Sequence, residues 1–288
     1  MNPVFGAVQA GDLDKALALA EGGVRDNPSC PLARAVLADV LMIRGEFERA
    51  ETHLGAVLRF DPSQEREVGS LLQMLRAECD RQQVFAEGRS PEFLIPPTES
   101  MKLRLGALAH LRAGDAARAH EMLRGASEIE TGYMAIADGG AAAPFADWDS
   151  RFGTTLEGLS ASGKYYWIPL SAVLSIEFGR VRTLRDLAWR SAVVTLGDAA
   201  RPPSADAGTS GNVAFLFMPT RYPGSESSVD GLLRAGCATE WSEPVPGVGI
   251  GVGQRVYLHG DAAIAAVSLS AVALAGGDAA AARTEDAS

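Results

Sequence analysis

Gly11-Asp12-Leu13-Asp14-Lys15-Ala16 and Gly45-Glu46-Phe47-Glu48-Arg49-Ala50 share one shape: a glycine, then an acid, then an apolar residue, with an alanine closing the run. Their offset, 45 minus 11, is 34 residues, and Asn27-Pro28 and Asp61-Pro62 repeat at the same offset, 62 minus 28. That is the period of a tetratricopeptide helix-turn-helix unit. In such a unit glycine ends the first helix, the acid suits the positive start of the second, and proline halts the chain after it. Leu32, Val36, Leu37, Val40 and Leu41 form one apolar stripe, with Phe47, Ala50, Leu54, Val57 and Leu58 as its partner, and both are expected in a helix-helix core.

A third copy follows at Gly114-Asp115-Ala116-Ala117-Arg118-Ala119, with Leu103, Ala107, Leu108 and Leu111 facing Ala119, Met122 and Leu123. Between the copies, Glu65 to Arg89 carries Val68, Leu71, Leu72, Leu75 and Cys79 at helical spacing, which predicts a longer helix capping the first repeats. Phe93-Leu94-Ile95-Pro96-Pro97 predicts an extended connection, since paired prolines disfavour helix.

From Ala137 to Pro144 the composition collapses to Gly and Ala, which reads as a boundary, and beyond it the period becomes strand-like. Short apolar runs at 154–159, 165–170, 173–178, 191–196, 213–218, 255–258 and 263–269 alternate with Gly, Pro, Ser and Asp. The aromatic run Tyr165-Tyr166-Trp167 and Trp189 lie among them, and Ala161-Ser162-Gly163 reads as a hairpin turn. Thr183 is placed to cap a short helical turn, with Asp186 answering it. These patterns predict an α+β chain. Tetratricopeptide-like helical repeats occupy 1–136 and a linker 137–146. An antiparallel β-rich region, an open sheet or a small barrel, occupies 147–272, and a flexible tail 273–288. Arg201 to Gly211 reads as a mobile loop.

Hydrophobic content of 47% with 22% charged residues describes a globular chain, and a net charge of -10 argues against nucleic acid as a partner. Three scattered cysteines imply neither a disulfide framework nor a zinc site and suit a reducing cytoplasm. The amino-terminal residues lack the pattern of a signal peptide. Ala262 to Gly277, the longest nearly uncharged run, is shorter than a membrane span, so no membrane role is expected.

No catalytic set, metal site or cofactor is expected. Gly247-Val248-Gly249-Ile250-Gly251-Val252-Gly253 has phosphate-loop composition but lacks the lysine and following helix, and reads as a hairpin or bulge. Asp147 and Asp149, with Glu157, offer carboxylates to a divalent ion, although alternation also predicts that these acids share one solvated strand face. The histidines show no ligand spacing, and no serine elbow is present. Arg185-Asp186 and Trp189 form either an internal lock or a contact for a partner, and Arg221-Tyr222, at the tip of a proline-bounded turn, serves either purpose. With Arg255, the candidate partner-binding residues are Arg185, Trp189, Arg221, Tyr222 and Arg255.

Taken in order, the two Gly-acid-apolar starts, Asp147-x-Asp149-Ser150-Arg151-Phe152-Gly153, Tyr165-Tyr166-Trp167-Ile168-Pro169, Leu184-Arg185-Asp186-Leu187-x-Trp189, Pro219-Thr220-Arg221-Tyr222-Pro223-Gly224-Ser225-Glu226 and Gly251-x-Gly253-Gln254-Arg255 resemble the ImpE/SciE family, also called TagJ. The resemblance implies a cytoplasmic, non-enzymatic accessory component of type VI secretion. Its implied partners are a helix near the N-terminus of the small sheath subunit and, by linkage, the ClpV ATPase that disassembles the sheath. The chain departs from the family pattern at 139–143 and 201–211. The competing expectation is an enzyme or small-ligand binder using Asp147, Asp149, Arg185 and the Gly247–Gly253 loop.

Overall fold

In the computed structural model, which describes residues 3–130, 132–197, 209–210 and 212–274, the repeats become paired helices. They are α1 (Pro3–Gln9), α2 (Leu13–Asp26), α3 (Pro31–Ile43) and α4 (Phe47–Phe60), followed by the long α5 (Glu65–Ala86) and the pair α6 (Glu99–Arg112) and α7 (Ala116–Glu128). Gly11, Gly45 and Gly114 take φ of 75°, 80° and 76°, the left-handed conformation that a residue with a Cβ enters only at a cost. The acid after each glycine differs in its use. Asp12 and Asp115 accept from the backbone N–H of Lys15 and Arg118, whereas Glu46 makes no cap and pairs with Arg44 and Arg49. Ala16, Ala50 and Ala119 are fully buried. Leu32 departs from its stripe: it is 72% exposed, because its face of α3 looks across a trough and not onto a neighbouring helix.

The strands are β1 (Glu92–Phe93), β2 (Tyr133–Ala137), β3 (Ala142–Asp147), β4 (Thr155–Ser160), β5 (Tyr165–Pro169), β6 (Val173–Phe178), β7 (Trp189–Leu196), β8 (Thr209–Ser210) and β9 (Val213–Pro219). After the short helix α8 (Gly231–Ala235) come β10 (Thr239–Val245), β11 (Val248–Gly253), β12 (Val256–His259), β13 (Ala262–Ala265) and β14 (Ala271–Leu274). β10 and β11 form a separate hairpin. The others form one sheet in the order β1-β5-β4-β9-β7-β6-β14-β2-β3-β12-β13, with β8 beside β9. Its two ends do not pair, so the sheet is open and the barrel alternative is set aside. Every pairing is antiparallel except β1 with β5, which turns the expected extended connection at Phe93 into a parallel edge strand.

Several expectations are corrected. The predicted linker 137–146 is largely strand: β2 and β3 pair as a hairpin, Tyr133 opposite Phe145 and Ile136 opposite Ala142, with Asp138 (φ 49°) and Gly139 (φ 74°) at its reversal. Alanine packs flat on a sheet and leaves no hydrophobic alternation to read, while the Asp-Gly pair was the available signal. The strand expected at 263–269 ends at Ala265 as the edge strand β13, and after a turn a further strand, β14, lies between β6 and β2. β14 also takes Ala273 and Leu274 out of the predicted tail, and 275–288 lies outside the described residues. Of the predicted loop 201–211, only Thr209–Ser210 is described, paired with β9.

Alternation along β5 divides the aromatic run. Tyr165 and Trp167 face a core shared with α1 to α6, which also takes in Phe152, Leu159, Trp189 and Tyr222. Tyr166 and Ile168 face a second core with Leu156, Val194, Tyr257 and Val272, around which the sheet curls without closing. The first core continues unbroken from the repeats into the sheet.

Candidate functional site

α5 lies across β4 and β5, and its polar positions meet charges from the sheet in a buried network. Glu157 on β4 is the hub. It accepts from Arg81 Nε at 2.6 Å and Nη2 at 3.2 Å, from Tyr165 Oη at 2.5 Å, and from Arg255. Burial opposes the charge, yet Arg81 and Arg255 hold the Glu157 carboxyl below its ordinary range. Arg255 also lies 3.0 Å from Asp147 Oδ2, with its guanidinium 4.4 Å from the Phe152 ring centre. Burial pushes Asp147 up to about 7 despite that arginine. Asp149 binds Arg151 at 2.6 Å and accepts from the Gly251 N–H at 2.8 Å. The expectation that Asp147, Asp149 and Glu157 share a solvated face is therefore corrected: all three are buried, and arginines accompany each of them.

Four of the five candidate partner-binding residues lie in this interior. The Trp189 indole donates to Glu78 Oε2 at 2.9 Å. Arg221 donates to Ile43 O at 2.9 Å and stacks over Trp189, with burial bringing its pKa down to about 10. Tyr222 Oη lies 3.0 Å from Asp147 Oδ1, and Arg255 is wholly enclosed. A partner reaches none of these four; they join repeats to sheet. The acids and glycines of the competing enzyme reading do not converge on an open site either. Gly251 N–H and C=O are committed to Asp149 and Arg151, and a Cβ at Gly251 would sit 2.4 Å from the Tyr222 ring, so glycine serves close packing there. Among the described residues no group of three or more His, Cys, Asp or Glu is placed to hold a metal, and no helix is long and apolar enough to cross a membrane.

Arg185 is the exception. It projects from the 3-10 turn Arg185–Leu187 toward the inner faces of α3 and α5, 3.4 Å from Asp39 and 3.0 Å from Glu67. Its turn is held by Asp186, which accepts from the Arg182 and Thr183 N–H groups and from Thr183 Oγ1. Around Arg185 the surface opens into a trough. One hollow of about 340 Å³ is lined by Phe5, Leu32, Ala35, Val36 and Asp39 with residues 182–185; another of about 450 Å³ runs from Cys30 and Leu32 to Asp61 and Glu67. Burial raises the Asp39 carboxyl to about 7, Arg185 offsetting only part of that cost. Asp39 was missed in the sequence, although an acid inside an apolar stripe was a visible signal, and Leu32 was placed in a helix-helix core where the structure leaves it exposed.

Three comparisons bear on this geometry. The family model described as ImpE protein matches residues 139–273, and a tetratricopeptide repeat model matches residues 7–75. The type VI secretion system accessory component TagJ of Pseudomonas aeruginosa is 31% identical over 254 residues, covering 87% of this chain and 83% of its own. The X-ray structure of protein VPA1032 from Vibrio parahaemolyticus has the same fold, with a TM-score of 0.80 at 20% identity over 96% of this chain and 98% of that one. By the extent and identity of the match to TagJ, and by the ImpE model over the sheet, this chain belongs to the ImpE family.

Proposed function

We propose that this protein is a non-enzymatic adaptor of type VI secretion that receives the N-terminal helix of the small sheath subunit, and through it is linked to sheath assembly or ClpV-dependent disassembly in the cytoplasm. One observation carries the reading: Leu32 on α3 stands exposed along an open trough, with the half-buried Phe5, Ala35 and Val36 lining it. Tetratricopeptide arrays hold helices and peptides on such faces, and an amphipathic helix would bury its apolar stripe on these residues. Arg185 already pairs Asp39 and Glu67 in this trough, which leaves Asp61 as the acid that favours a basic residue beside that stripe.

The test is calorimetry with a synthetic sheath-subunit N-terminal helix. The expected dissociation constant is about micromolar, typical of a transient contact of modest area. Leu32→Glu should weaken binding by about tenfold or more while leaving the melting temperature unchanged, since the side chain is exposed. No heat from well-folded protein, or equal binding by the Leu32→Glu variant, would overturn the assignment.

A further inference from the structure

Beyond Arg185 the trough changes sign. Arg66 on α5, with Arg180 and Arg182 on the loop after β6, lines an open hollow of about 790 Å³, and all three side chains are exposed. Among the described residues none of the three has an ion pair or a side-chain hydrogen bond. The two acids of the hollow are engaged: Glu67 lies 3.0 Å from Arg185, and Asp186 Oδ2 accepts from the N–H groups of Arg182 at 2.8 Å and Thr183 at 2.7 Å. Four arginines, Arg185 among them, and two acids line the hollow, a local positive balance that runs against the net charge of -10. Nothing in the fold requires Arg66, Arg180 and Arg182 there, because exposed, unpaired arginines contribute little to stability.

The hollow also has an apolar end. Through Ser70, Gly179, Ser191 and Phe217 it continues into a pocket of about 310 Å³ walled by Ala161, Ala192, Val193, Phe215 and Leu216. Phe215 is 52% exposed, so an aromatic ring stands at the surface of a pocket sized for a side chain. Glu177 is the one charged residue lining this end, and it repels a carboxylate there while leaving the arginine end open to one. The site therefore has polarity: anionic groups at Arg66, Arg180 and Arg182, an apolar group beside Phe215.

We propose that this trough is a second docking site, for a partner's peptide segment that carries clustered carboxylates next to an aromatic or branched apolar residue. Guanidinium groups pair carboxylates through two parallel N–H donors, and the neighbouring pocket takes the apolar side chain. A peptide fits better than a bilayer or a nucleic acid. The whole-chain charge repels an extended polyanion, whereas a short segment meets only the local arginines. The site adjoins the helix-binding face of α1 and α3 and shares Arg182 and Arg185 with its edge, whereas Arg66, Arg180 and the Phe215 pocket lie outside that face.

The test is fluorescence anisotropy on the full chain with a short fluorescein-labelled peptide of three consecutive glutamates followed by phenylalanine and leucine. Comparison probes are the same peptide with lysines for glutamates and vesicles of phosphatidylglycerol. The expected result is saturable binding in the micromolar range, about −8 kcal/mol, that weakens as salt rises. It should fall by about tenfold or more in the Arg180→Glu, Arg182→Glu double variant and severalfold in Phe215→Ala, with melting temperatures unchanged. Leu32→Glu should leave it intact, so failure here and failure of the helix site are seen separately. Absence of binding, equal binding of the lysine peptide, indifference to the arginine substitutions or preference for the vesicles would each overturn the proposal.

Discussion

Asp39 lies on the buried side of α3 with Arg185 as its nearest cation, and burial lifts its carboxyl from 3.8 to about 7. Between those values the folded chain holds a proton that the unfolded chain has released, so stability falls as pH rises from about 4 to 7. Asp39→Asn removes this titration while keeping the shape. We expect the two proteins to melt alike near pH 4, with the variant more stable above pH 7 by on the order of 3–4 kcal/mol. Thermal unfolding at both pH values checks it, and equal pH slopes would contradict it. Asp147 is raised by the same cause and remains, so the slope should shrink without vanishing. At this scale the sequence is a poor guide. Glu157 and Arg81 are 76 positions apart, and nothing local announces that they meet. Arg185 could be singled out because its charge stands between leucines, yet the same logic also selected Trp189 and Tyr222, whose polar tips turned out to be satisfied indoors.

Elements were read best where a period ran long enough to be counted. The repeats and α5 follow from 34-residue spacing and apolar stripes, and six of the seven expected runs fall within a residue or two of an observed strand. The hairpin of β2 and β3 escaped because small residues carry little hydrophobic contrast, and β10 escaped because most of it is exposed, leaving no buried face to alternate with. The glycines of β11 read correctly as a hairpin, but their reason is tertiary. Tyr222 lies flat against Gly251, at a distance where a methyl group cannot fit. Gly251→Ala is therefore expected to cost about 1–3 kcal/mol through overpacking, seen as a lower denaturation midpoint. Gly249→Ala, whose Cβ would meet Trp241 at 3.8 Å, should be nearly neutral.

For the molecule as a whole, the sequence suggests two bodies with a join between them, because its period changes from helical to alternating near residue 137. Packing does not follow that change. The core beneath α1 to α6 includes Phe152, Tyr165, Trp167 and Trp189, and the Arg81 and Glu157 pair is sealed within it. Helices cut away at residue 130 would expose those apolar faces and take Glu157 from Arg81 and the Trp189 indole from Glu78. We expect residues 1–130 expressed alone to give a broad, non-cooperative thermal transition by far-UV circular dichroism, while the full chain unfolds in one step. A sharp transition for the fragment would show that the helices need no sheet.

Two of the four tryptophans, Trp167 and Trp189, are enclosed where helices meet sheet, the first donating to Tyr165 Oη and the second to Glu78. The chain thus contains its own optical gauge. Parting of the two layers would hydrate both indoles and shift their emission to the red, without any label attached.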